Sequence, residues 1–103
     1  MTGEAIDLGS GHTMVYTCWC PDRELNPQYA GIPDIEKIGV IVDTGNGCQS
    51  VALFDLPGVR EVLGPDRPVW QVESWEPLTL SPSLLCRLCG DHGFIRAGRW
   101  VPA

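Results

Sequence analysis

Long apolar runs are missing from this 103-residue chain. None reaches the ~18–20 residues that a membrane-crossing helix requires, so no membrane association is expected. The first residues carry no basic segment followed by an apolar one, the pattern of a secretory signal. An intracellular, cytoplasmic location follows as the expectation, and there paired cysteines bind metal more often than they form disulfides. Basic residues are scarce, seven against thirteen acids, for a net charge of −6. Within residues 1–84 twelve acids face four bases, whereas Arg87, Arg96 and Arg99 face Asp91 alone in 85–103. Duplex phosphate repels such a chain unless it gathers a basic face. Direct nucleic-acid binding is therefore not expected, and the acidity reads first as solubility.

Signatures of catalysis are also missing. Histidine occurs twice, at His12 and His92. The His-x-Glu that precedes Pro-Cys-x-x-Cys in zinc deaminases is absent. Gly90 follows Cys89 where a c-type haem site needs histidine. A thioredoxin-like pair would need a βαβ setting, and the chain lacks one. There is no internal repeat and no low-complexity tract. The chain is not expected to be an enzyme.

What the chain does have is five cysteines in a telling arrangement. Cys86-Arg87-Leu88-Cys89-Gly90-Asp91-His92 reads as half of a zinc site. A Cys-x-x-Cys-Gly turn aims backbone amides at the sulfurs and so offsets thiolate charge, and Gly90 permits the tight turn. Cys18-Trp19-Cys20 is the second pair, and a tetrahedral ion needs four donors. On a strand Cys18 and Cys20 face one side, and one ion takes both only where the strand bends. The candidate metal ligands are Cys18, Cys20, Cys86, Cys89 and His92. Cys86 and His92 compete for the fourth place, and Asp91 is a candidate to orient His92 or a sulfur from behind. More candidates than places argue for a closed, structural Zn2+ over a catalytic one. Cys48 has no partner nearby in sequence and reads as a spare or half-buried thiol. Sixty-five residues separate Cys20 from Cys86, so the ion would restrict the unfolded chain strongly.

Taken in order, residues 1–13 are Gly-rich without periodicity and read as a flexible leader, with His12 solvated. Residues 14–103 read as a single zinc-stabilised β domain. Met14 to Cys20 favours a strand, and residues 21–37 read as an irregular excursion anchored by Tyr29 and Ile32. Ile38–Asp43 and Gln49–Phe54 flank Thr44-Gly45-Asn46-Gly47, a strong hairpin signal. Val59–Leu63 allows one or two helical turns. Residues 69–75 alternate, with Trp70, Val72 and Ser74 on the more apolar face. Leu78-Thr79-Leu80 is short and extended, and Phe94-Ile95-Arg96 pairs with Arg99-Trp100-Val101 across Ala97-Gly98. The expected fold is mostly β: a small antiparallel domain of short strands and hairpins, fastened by one zinc knuckle, with at most one short helix.

Several of these segments together carry a resemblance. Trp75-Glu76-Pro77-Leu78-Thr79-Leu80-Ser81-Pro82-Ser83-Leu84-Leu85, Cys89-Gly90-Asp91-His92-Gly93-Phe94-Ile95-Arg96 and Gly98-Arg99-Trp100 resemble a family of small uncharacterised bacteriophage and prophage proteins. Members share a tryptophan, a Thr-x-Ser-Pro-Ser stretch, a Cys/His pair and a closing hairpin. They also tend to carry a Cys-x-Cys near the start, matched by Cys18 and Cys20. Some members bear an ammonia monooxygenase label, but this chain has no copper-type histidine cluster. The resemblance covers residues 75–100 closely and 14–20 more loosely. It implies a phage origin and a zinc site, with His92 the shared ligand and Cys86 a variant. It implies no reaction.

Function is then expected to be that of a phage-encoded zinc-binding protein-interaction module acting on a host or phage protein in the infected cell. Trp70, Trp75 and Trp100 are candidate binding residues, because aromatics concentrate at interface centres. The alternatives are an acidic nucleic-acid mimic that inhibits a host DNA-binding or defence protein, a zinc hydrolase-like enzyme, and a minor virion component.

Overall fold

Short strands with glycine-bearing turns between them build most of this chain. The computed structural model describes residues 4–64 and 66–103. The strands are β1 (Ile6–Gly9), β2 (His12–Trp19), β3 (Ile35–Asp43), β4 (Gln49–Leu53), β5 (Gln71–Trp75), β6 (Leu78–Ser81), β7 (Leu84–Leu85), β8 (His92–Arg96) and β9 (Arg99–Pro102). One short helix, α1 (Val59–Leu63), and a 3-10 turn at Pro27–Tyr29 complete the described elements. The first four strands form an antiparallel sheet in the order β1-β2-β3-β4; β5 pairs with β6, and β7-β8-β9 form a third sheet. The mostly β, antiparallel architecture expected from the sequence is what the chain adopts.

Period-two alternation explains the core. Met14 pairs with Val42, and Tyr16 with Val40, which in turn pairs with Ala52. These side chains share one face of the large sheet. Leu78, Leu80, Leu84, Ile95 and Trp100 close over that face from the two small sheets, with Phe54 buried between. Gly39 is required where β3 meets β4, since a Cβ there would collide with the Ala52 carbonyl oxygen. The small sheets are tied to each other at a turn: Gly98 N–H donates to Leu78 O at 2.8 Å, and Ala97 N–H to Thr79 Oγ1 at 2.9 Å.

The start of the chain departs from the expected leader. Residues 1–3 lie outside the described residues, but Ile6–Gly9 pairs with β2, and Leu8 is wholly buried in the core. Gly9, Ser10 and Gly11 all take positive φ (83°, 55° and 77°). That left-handed run turns the chain sharply enough for a strand of four residues to fold back. One inward leucine on so short a strand leaves no periodic signal in the sequence. The core thus begins before Met14.

Candidate metal centre

Three turns converge at one end of the large sheet. The first joins β1 to β2. The second, 44–48, joins β3 to β4. It is braced by Thr44 N–H to Cys48 O (3.1 Å), Gly45 N–H to Asp43 Oδ1 (2.8 Å) and Cys48 N–H to Asn46 Oδ1 (3.2 Å). Gly45 has φ 85°, and a Cβ there would come within 2.5 Å of Gly11 O, so the first two turns abut. The third is the 86–91 knuckle, closed by Gly90 N–H to Cys86 O and Cys86 N–H to Asp91 O, each 2.8 Å. Gly90 takes φ 78° at its apex.

This convergence brings Cys48, Cys86 and Cys89 together, with their Sγ atoms all within 4.8 Å of one another. Cys86 is buried, Cys48 half-buried and Cys89 exposed. Thiolates around tetrahedral zinc lie about 3.8 Å apart for Zn–S bonds of ~2.3 Å. A small closure of the three side chains reaches that spacing. Three soft donors suit zinc, copper(I) or iron. They fill three corners of a tetrahedron, and no fourth Cys, His, Asp or Glu among the described residues joins the group.

The sulfurs are not equivalent. Cys89 is lowered to about 7, because the Asn46 amide donates to its sulfur, the Asp91 N–H does the same and the neighbouring thiols add to both. Cys48 is raised to about 11, chiefly by donating its S–H to Cys89, with desolvation and Cys86 adding to it. The metal-free cluster therefore gathers its negative charge on Cys89.

The ligand set differs from the sequence expectation in three ways. Cys48, read as a spare thiol, sits in the cluster because its turn folds back onto the knuckle. The sequence signal that points to it is Gly45-Asn46-Gly47-Cys48, a glycine-bearing turn that presents one cysteine much as a knuckle presents two. Cys18 and Cys20 stand apart. Thr13 pairs with Asp43 beside the 44–48 turn, while Trp19 pairs with Ile35 at the other end of the sheet. At ~3.3 Å per residue, Cys18 lies about 16 Å along β2 from that turn. His92 also stands apart: it pairs with Leu85 at the start of β8, is exposed, and meets Ser83 Oγ at 2.7 Å through Nε2. Alternation along β8 turns Gly93 and Ile95 inward and His92 outward. The Cys-x-x-His pair is not formed.

Behind the cluster stands His12, buried rather than solvated. Its Nε2 meets Asp91 Oδ2 at 2.5 Å and its Nδ1 meets Ser10 O at 2.8 Å. Its ring stacks on Trp100 with centroids 4.3 Å apart and planes 11° from parallel. Both ring nitrogens are thus engaged by oxygen atoms. Asp91 thus orients His12, not His92, while its backbone N–H serves Cys89. Neither nitrogen of His12 is free for proton transfer, and its role is to fasten the first strands to the knuckle and to β9.

The candidate binding tryptophans divide. Trp100 is buried under His12 and over Gly93, where an added Cβ would come within 2.6 Å of its ring. Trp70 packs on the core and donates Nε1–H to Ser83 O at 3.2 Å. Trp75 is 45% exposed, leans edge-on against Phe54, and lines an open groove of about 400 Å3 with Pro33, Ile35, Lys37, Leu56 and Pro57. Of the three, only Trp75 is exposed, while Trp70 is half-buried.

Comparison with protein-family models, with curated proteins and with solved structures returns no match to the chain. Among the described residues no helix is long and apolar enough to cross a membrane.

Proposed function

We propose that the chain is a zinc-fastened β module of phage or prophage origin that binds a host or phage protein. The observation that carries this reading is the three-cysteine cluster, whose thiols come from the β3–β4 turn and from the knuckle. An ion there joins two segments separated by thirty-seven residues of chain. Zinc held by four protein donors is worth an apparent ~10–16 kcal/mol in finger peptides, and this cluster supplies three of those four donors. The Trp75 groove supports the interaction role, since an exposed aromatic beside apolar walls is the usual form of an interface anchor.

Native mass spectrometry of the purified chain tests the metal. One zinc per chain is expected, lost with chelator and weakened in C48S, C86S and C89S but not in C18S. A chain that holds zinc through Cys18 and Cys20, or holds none, overturns the reading. Affinity capture with wild type and W75A tests the module. The expected outcome is a stoichiometric protein partner retained by wild type and lost by W75A.

A further inference from the structure

The metal cluster leaves Cys18 and Cys20 without an assigned role, and their geometry gives them one. Residues i and i+2 of a regular strand hold their side chains roughly 7 Å apart. Here the β2–β3 register slips between Thr17 and Trp19, where Cys18 alone stands opposite the three residues 36–38 of β3, so the bulge lies on β3 across from Cys18. The strand ends directly after, and Pro21 follows Cys20. The two Sγ atoms lie 3.0 Å apart, with the Cys20 S–H donating to Cys18 Sγ. Cys20 is exposed and Cys18 partly so. No third Cys, His, Asp or Glu among the described residues completes a metal group with them. The adjoining 21–34 loop is held folded by Arg23, which bonds Asp34 Oδ1 at 2.7 Å and Ile32 O at 2.5 Å and sits over the Trp19 ring. The pair is thus held in place and open to solvent, and a disulfide needs a closure of only about 1 Å.

We propose that Cys18 and Cys20 form a thiol–disulfide exchange site whose substrate is a small-molecule or protein disulfide. The Cys18 thiolate, supported by the Cys20 S–H, attacks one sulfur of the substrate disulfide. A bond forms between Cys18 and that sulfur, the substrate S–S bond breaks, and the first thiolate leaves and takes up a proton. Cys20 then gives up its proton, and its thiolate attacks Cys18 Sγ. The Cys18–Cys20 bond forms and the second substrate thiol departs. Two protein thiols are oxidised to one disulfide, and one substrate disulfide is reduced to two thiols. The zinc cluster takes no part, so this site and the metal reading stand or fall separately.

Glutathione disulfide is the probe. The zinc-loaded full chain is equilibrated in buffers of set reduced-to-oxidised glutathione ratio, quenched with acid, alkylated and digested with trypsin. Cleavage after Arg23 isolates Cys18 and Cys20 from the other cysteines. The expected peptide is two hydrogens lighter, takes no alkyl group, and reverts fully with dithiothreitol. C20S should accumulate a Cys18–glutathione mixed disulfide, on the order of tenfold above wild type, because nothing resolves it. Circular dichroism confirms that the variant is folded. Oxidation confined to Cys48, Cys86 and Cys89, or a mixed disulfide that persists in the wild type, overturns the proposal. So does a pair that stays fully alkylated across the whole glutathione range.

Discussion

Cys89 and Cys48 are two sulfurs of one cluster with opposite leanings. At pH 8 the Cys89 thiol, lowered to about 7, is mostly thiolate, while Cys48, raised to about 11, is almost entirely protonated. Only the thiolate is alkylated. In metal-free protein, iodoacetamide should therefore label Cys89 well before Cys48, as read by peptide mapping, and bound metal should protect both. Labelling of Cys48 first would contradict the hydrogen-bond directions described above. His12 carries a second residue-scale consequence. Replacing it with alanine removes the stack on Trp100 and leaves Asp91 without its partner. A loss of about 2 kcal/mol is expected in urea unfolding, whereas a solvated histidine in a leader would cost almost nothing. Gly93→Ala should also destabilise, by about 1–3 kcal/mol, because its methyl group would press into the Trp100 ring.

At the scale of elements, the well-marked turns explain what the sequence made legible. Thr44-Gly45-Asn46-Gly47 and Ala97-Gly98 are turn chemistry flanked by alternating strands, and both hairpins form where expected. Ala97 and Gly98 take φ 51° and 72°, the paired left-handed residues of a two-residue hairpin turn. Val59–Leu63 is the expected short helix. The β1 strand was illegible because it is four residues long and only Leu8 and Gly9 turn from solvent. Cys48 stands on a legible turn, but its partners are distant in sequence and only the packing of turns brings them to it. The cysteine pairs were visible, but spacing alone could not say that one pair lies at each end of β2. Leu8→Ala tests the β1 assignment. About 3 kcal/mol should be lost if Leu8 fills the core, against nearly none in a leader.

For the whole molecule, the cluster joins the 44–48 turn to the 86–91 knuckle, and the His12–Asp91 bond brings the first hairpin to the same place. Binding an ion to the folded chain alone raises stability by mass action. Chelation should therefore lower the midpoint of thermal unfolding in wild type, and C48S should show that lowered midpoint with or without zinc. A wild-type midpoint indifferent to chelator would separate the cluster from stability.

The contact between the first and last strands has one more consequence. β1 lies against β9, and His12 stacks on Trp100, so the first and last strands are neighbours in space. Covalent continuity is then needed less at the ends than the contacts are. A circular permutant that joins residue 103 to residue 4 through a short linker, and opens the backbone beside Asp66, should keep every strand pairing and the sulfur cluster. In that molecule the order in which the hairpins leave the ribosome changes, while the folded object does not.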